Sequence, residues 1–216
     1  MSRKPPSVAS IATQGDGARM VAPAAERNMA VLCDLLEQVA PTQGRALELA
    51  SGTGQHVSAF AKRLPGLQWQ PTEVDAQRRA SIDAYCEGLD NVASVQELNA
   101  TCPGWGADWA GQDLVVLINL LHLISEGEAA TLIAEAAAAL APGGRLVIYG
   151  PFMRAGELTS EGDARFHAAL TAEDPEIGYK DDFDTMDLMQ GAGLEMAEVL
   201  EMPANNLALI AEKPRI

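Results

Sequence analysis

The chain has 216 residues, 48% hydrophobic and 21% charged, the size and balance of one large globular domain with a complete core. Its net charge of −15, with 15 Lys and Arg and no basic cluster, argues against a nucleic-acid partner, because such affinity is built from cationic contacts to phosphates.

Residues 1–20 are rich in Pro, Ser, Gly and Ala without periodicity and read as a flexible tail, leaving 21–216 as a single domain. A helix is predicted from Pro23, with Asn28, Leu32, Leu35 and Val39 on one row and Met29 and Leu36 widening it; Pro41 and Gly44 stop it. Strand and helix then alternate: strand 45–49, helix 55–63, strand 67–72, helix 76–87 and strand 92–98. Residues 114–119 are almost wholly apolar, as in a strand buried on both faces, and 126–140 form an Ala-rich helix. Pro142-Gly143-Gly144 turns that helix into strand 145–149. The alternation predicts an α/β fold, Rossmann-like and doubly wound, with helices on both faces of a parallel sheet. After a helix at 181–190, strands 194–201 and 207–212 are joined only by Met202-Pro203-Ala204-Asn205-Asn206. That link is too short for a parallel crossover, so the seven-stranded sheet is expected to be mostly parallel, with one antiparallel strand near the C-terminus.

No stretch reaches the roughly eighteen apolar residues of a membrane span, residues 114–124 being short and interrupted by Asn119 and His122. Arg3 and Lys4 are followed by Pro5, Pro6, Ser7 and Ser10 where a signal peptide needs an apolar core. Cys33, Cys86 and Cys102 are scattered, odd in number and without metal-binding spacing. A cytoplasmic protein with no membrane partner and no metal is expected.

Residues 47–56 read LELASGTGQH, a strand running into Ser-Gly-Thr-Gly and then a helix. In open α/β sheets the ligand sits beyond the carboxyl ends of the strands, which puts Glu48, Ala50, Ser51, Gly52 and Gly54 beside it. Gly52 and Gly54 let the backbone approach the ligand closely. Gly-x-Gly alone also fits a plain structural turn, and a dinucleotide site would prefer a small residue where Val57 stands. Glu73, at the carboxyl end of the second strand, is either a solvated loop residue or the group that accepts from both ribose hydroxyls, with Asp75 as the neighbouring substitute. Asn99, with Ala100, follows the third strand and can address an adenine edge; Asn119, with Leu120, follows the fourth. His122 is either a general base or a structural histidine. Asn28 points inward, where it braces its own helix or contacts the cofactor, and Arg27 can pair with a carboxylate of cofactor or substrate. Asn205 and Asn206 in the hairpin, with Tyr149, are candidates for an acceptor pocket on the same face as Gly52.

The run from Glu48 to Gly54, followed by Glu73, Asn99, residues 113–119 and Pro142-Gly143-Gly144, resembles class I S-adenosylmethionine-dependent methyltransferases over residues 44–212. More narrowly, PAAERN (23–28), ASGTGQH (50–56), WQPTEVD (69–75) and YGPF with MPANN (149–152, 202–206) are similar to the domain of unknown function 938, or methyltransferase-like 26, family. The resemblance implies S-adenosylmethionine as cofactor and methyl transfer as the reaction. The sequence after the fourth strand, Asn119-Leu120-Leu121-His122, lacks the Asn/Asp-Pro-Pro-aromatic pattern of methyltransferases acting on base amino groups, so a small-molecule acceptor is expected. The alternatives are a binding protein for the same cofactor without catalysis, or an NAD-binding oxidoreductase. Ala50 stands where the generic motif has Gly, Glu73 and Asn99 where it has Asp. Ser160-Glu161 and Phe166-His167 stand where the narrower family has Ser-Asn and Phe-Asp.

Overall fold

The computed structural model describes residue 6 and residues 11–215. A small ladder pairs β1 (Thr13–Gln14) with β2 (Met20–Val21), and the main fold begins at α1 (Pro23–Val39). There follow β3 (Gly44–Leu49), α2 (Gln55–Arg63), β4 (Leu67–Pro71), α3 (Ala76–Cys86), the short α4 (Trp105–Asp108), β5 (Gln112–Ile118) and α5 (Glu126–Ala139). The chain ends with β6 (Leu140–Met153), α6 (Glu161–Glu173), β7 (Lys180–Asp181), α7 (Asp182–Gly191), β8 (Glu195–Met202) and β9 (Asn206–Glu212).

The seven-stranded sheet runs β4-β3-β5-β6-β9-β8, with β7 paired to the end of β6. Neighbours from β4 to β6 are parallel, and β9 is antiparallel to both β6 and β8. The tight β8–β9 link works because Ala204 and Asn205 both take φ of 59°, the left-handed pair that matches the twist of a hairpin. Strands β3 and β5 bury nearly every side chain, on one face against α1, α2 and α3 and on the other against α5 and α7. The fold is thus the mostly parallel α/β sheet that the hydrophobic pattern predicts.

Three expectations change. The strand at 92–98 is reduced to isolated bridges, Trp69 to Val92 and Thr72 to Gln96. Pro71 lies between them and has no N–H to donate, so the ladder breaks there, and Gln70 Nε2 donates to the Ser94 carbonyl instead, at 3.0 Å. The expected tail is only partly within the described residues, and 13–21 are anchored rather than free. Arg19 donates to the Ala84 carbonyl at 3.0 and 2.9 Å and lies over the Tyr85 ring, while Met20 N donates to Ser81 Oγ at 2.8 Å. Composition alone does not show such contacts across the fold. Finally, 161–173, left without an element by periodicity, is α6, capped by Ser160 Oγ accepting from Asp163 N at 3.1 Å.

Candidate active site

A cavity of about 640 Å³ lies beyond the carboxyl ends of β4, β3 and β5, where the chain departs to opposite sides of β3. The strand ends are held in unusual backbone conformations. Ala50, Gly52 and Asn119 have φ of 51°, 60° and 55°, a region that costs a residue with Cβ about 1–2 kcal/mol. Hydrogen bonds between the strand ends offset that cost. Ser51 N donates to the Thr72 carbonyl at 2.8 Å, and Thr72 N and Oγ1 donate to the Glu48 carbonyl at 3.0 and 2.8 Å. A Cβ at Gly52 would find nothing nearer than the Ala50 carbonyl at 4.0 Å, so this backbone faces open space.

The Glu73 carboxylate organises the same loop. It accepts from Gly52 N at 3.0 Å, Val74 N at 2.8 Å and Asp75 N at 3.1 Å, and still lines the cavity. Asp75, the substitute for it, is committed elsewhere as the cap of α3, its side chain accepting from Arg78 N at 2.8 Å. Asn99 Oδ1 accepts from Thr101 N and Oγ1 at 3.1 and 2.8 Å, so the part of Asn99 left for a ligand is its Nδ2 donor.

Three titratable groups here are shifted by burial. Glu48 is 2% exposed and its Oε2 has no partner; burial pushes its carboxyl up to about 8, opposed by a hydrogen bond from Ser51. It is therefore protonated near neutral pH until something arrives to pair with it. His122 is 6% exposed; burial, helped by the nearby Lys180 charge, brings it down to about 3, and its Nδ1 is sealed without a partner. His56, which no sequence motif marked as a site residue, lines the cavity, stacks on Phe60 and is brought down by burial to about 4.

The cavity gathers most of the residues expected there. Glu48, Ala50, Ser51 and Gly52 come from the β3 end, Glu73 from β4, Asn99 and Ala100 from the loop before α4. Asn119, Leu120 and His122 follow β5, Arg27 comes from α1, and Asn206 from the hairpin. Four expected residues do not line it. Asn28 instead holds His56 Nε2 at 2.8 Å and hydrogen-bonds the Tyr149 side chain, so Asn28 and Tyr149 brace the wall from behind. Asn205 turns away to donate to Asp163 Oδ2 at 3.0 Å. Gly54 serves packing: with φ of 89°, a Cβ there would lie 2.6 Å from Ile82 Cα, where α2 crosses α3. Phe166, on α6, and Tyr179, just before β7, line the cavity without having been expected. Among the described residues no group of His, Cys, Asp and Glu is placed to hold a metal, and no helix is long and apolar enough to cross a membrane.

The family model described as "Protein of unknown function (DUF938)" matches residues 19–213. Among solved structures, the chain is similar to an O-methyltransferase family protein from Burkholderia thailandensis, with 20% identity and a TM-score of 0.75 over 88% of this chain and 57% of that one. It is also similar to human N-acetylserotonin methyltransferase in complex with S-adenosylmethionine, with 14% identity and a TM-score of 0.73 over 88% of this chain and 53% of that one. A third similar structure is CalO1, a methyltransferase in calicheamicin biosynthesis with S-adenosylhomocysteine bound, at 15% identity and a TM-score of 0.71, covering 88% of this chain and 54% of that one. The chain therefore spans a little over half the length of these proteins, and at such identities the likeness is one of fold.

Proposed function

We propose that this chain, which belongs to the DUF938 family, is an S-adenosylmethionine-dependent methyltransferase acting on a small-molecule acceptor. The observation that carries this reading is the cavity itself: it lies at the switch point of the sheet, with the bare Gly52 backbone open to it and Glu48 and Glu73 at the ends of β3 and β4 among its lining. When bound, the cofactor supplies an electrophilic methyl on a sulfonium; attack by the acceptor forms the new bond to carbon, and the broken C–S bond leaves its electron pair on sulfur.

The residues divide along the strand ends. Glu73, Asn99 and Ala100 hold the adenosine, with Glu73 fixing both the Gly52 amide and the ribose. Glu48 and residues 50–52 face the amino-acid end, and Arg27 at the rim supplies a cation for its carboxylate. Asn119, Leu120 and His122 bound the space on the far side, where the acceptor sits. Holding the two reactants in line within such a cavity can account for up to about 7–11 kcal/mol of barrier reduction in favourable cases. Fully buried Val57 occupies the position where a dinucleotide fold needs a small residue, which favours this reading over NAD.

Isothermal titration with S-adenosylhomocysteine and with NAD tests the assignment. Heat with S-adenosylhomocysteine and none with NAD is expected; the reverse would overturn it.

A further inference from the structure

The far end of the cavity is built unlike the cofactor end. Past Asn119 the chain makes a 3-10 turn, Leu121–Leu123, which brings His122 against two rings from the α6–β7 segment. His122 lies 5.8 Å from Phe166 and 6.3 Å from Tyr179 between ring centroids, and Phe166 and Tyr179 are 6.1 Å apart in an edge-to-face arrangement. Leu123 and Ile124 complete the wall.

Most polar side chains around these rings are engaged by the protein; the Asn119 amide, which also lines the cavity, has no hydrogen-bond partner among the described residues. Tyr179 OH donates to Asp163 Oδ1 at 3.0 Å, so the tyrosine presents its ring. Asp163 also accepts from Ser160 Oγ at 2.6 Å and from Asn205 Nδ2 at 3.0 Å, which ties α6 to the β8–β9 hairpin and fixes the cluster. Lys180 Nζ donates to the carbonyls of Ile124 and Gly178 at 2.8 and 2.9 Å, and Glu128 Oε2 accepts from Ser125 N at 2.7 Å in the cap of α5. Asn206 Nδ2 donates to the Pro203 carbonyl at 2.9 Å. The His122 ring likewise has no hydrogen-bond partner among the described residues. Its Nδ1 is sealed, so the ring addresses the cavity from its Nε2 side.

Such a wall accepts a flat apolar ring that carries a hydrogen-bonding hydroxyl. Among the described residues this wall holds no unpaired cation to receive a carboxylate or phosphate and no unpaired anion to receive an ammonium, and burying either charge there without a partner is costly. Building on the methyltransferase reading, we infer that the acceptor is a small uncharged aromatic hydroxyl compound, its ring in the cavity against the His122–Phe166–Tyr179 cluster and its hydroxyl donating to His122 Nε2. In the reaction the hydroxyl oxygen bonds to the methyl carbon, the C–S bond breaks with its pair going to sulfur, and the hydroxyl proton passes to His122 Nε2 and on to water. A neutral imidazole of low basicity suffices, because a hydroxyl becomes strongly acidic once its oxygen carries a second carbon.

The test is calorimetric titration of the full chain saturated with S-adenosylhomocysteine, using 4-ethylphenol, cyclohexanol, benzoate and benzylamine as probes. 4-Ethylphenol should bind about 10-fold or more tighter than the other three, and Phe166→Leu, which keeps the site apolar, should weaken it about 3–10-fold while leaving S-adenosylhomocysteine affinity unchanged. Equal binding of cyclohexanol, preference for either charged probe, or indifference to Phe166→Leu would overturn the acceptor class alone. Failure of S-adenosylhomocysteine to bind would overturn the methyltransferase reading and this inference together.

Discussion

Replacing Glu48 by Gln removes one titration from the core and leaves its shape. The carboxyl is 2% exposed with an unpaired Oε2, and burial raises it from 4.5 to about 8. The folded state therefore keeps a proton that the unfolded chain releases. The stability linked to that proton is complete below 4.5 and is lost as pH rises through about 8. At about 1.36 kcal/mol per pH unit, the ligand-free wild type should lose on the order of 3–4 kcal/mol from this group between about pH 5 and about pH 8. Buried neutral His56 and His122 act at the other end. Their folded values lie below the ordinary 6.5, so they destabilise the fold as pH falls below 6.5. Because they are common to both proteins, the difference between wild type and Glu48→Gln isolates the carboxyl. Urea unfolding of the two proteins across that range measures it. The variant should become the more stable of the pair as pH rises; two curves that stay parallel would refute the burial argument for Glu48.

Glu73→Gln should weaken S-adenosylhomocysteine binding by about 1.5–3 kcal/mol, the scale of a hydrogen bond to a charged group, and calorimetry on the folded variant would expose an error if affinity were unchanged. Gly54→Ala forces a left-handed residue against the Ile82 backbone and should cost about 2–4 kcal/mol, read as a melting temperature about 5–10 °C lower; an unchanged melting temperature would mean that α2 and α3 can part. Since burial keeps His122 neutral until about 3, its part in turnover should persist from about pH 8 down to about pH 5. A loss of rate centred near 6.5 in wild type but absent from His122→Gln would contradict that burial.

How far the sequence alone reached follows from which interactions are local. The ends of β3 and α2 were readable because an apolar run stopping at Ser51-Gly52-Thr53-Gly54 encodes its own turn. Helix α6 carried a readable cap in Ser160-Glu161-Gly162-Asp163, but Phe166 and Tyr179 become a wall only through contact with His122, which is distant in sequence. The same limit misplaced Asn28. Its row on α1 pointed inward as expected, yet its side chain is spent on His56, which lines the cavity, and on Tyr149, which does not. Asn205 and Asn206 look equivalent in sequence, and the left-handed turn sends one to Asp163 and the other to the cavity. The ordinary 6.5 for His122 fails for a physical reason too, since desolvation depends on packing that no motif records.

The most direct test of methyl transfer is incubation of the protein with methyl-labelled S-adenosylmethionine and a small-molecule extract supplemented with simple phenols. Gly52→Val, which fills the open backbone approach, serves as the control. Label should pass into low-mass compounds with the wild type and not with the variant. Tight cofactor binding by the wild type with no more transferred label than the variant gives would contradict the account and leave a protein that binds the cofactor without using it.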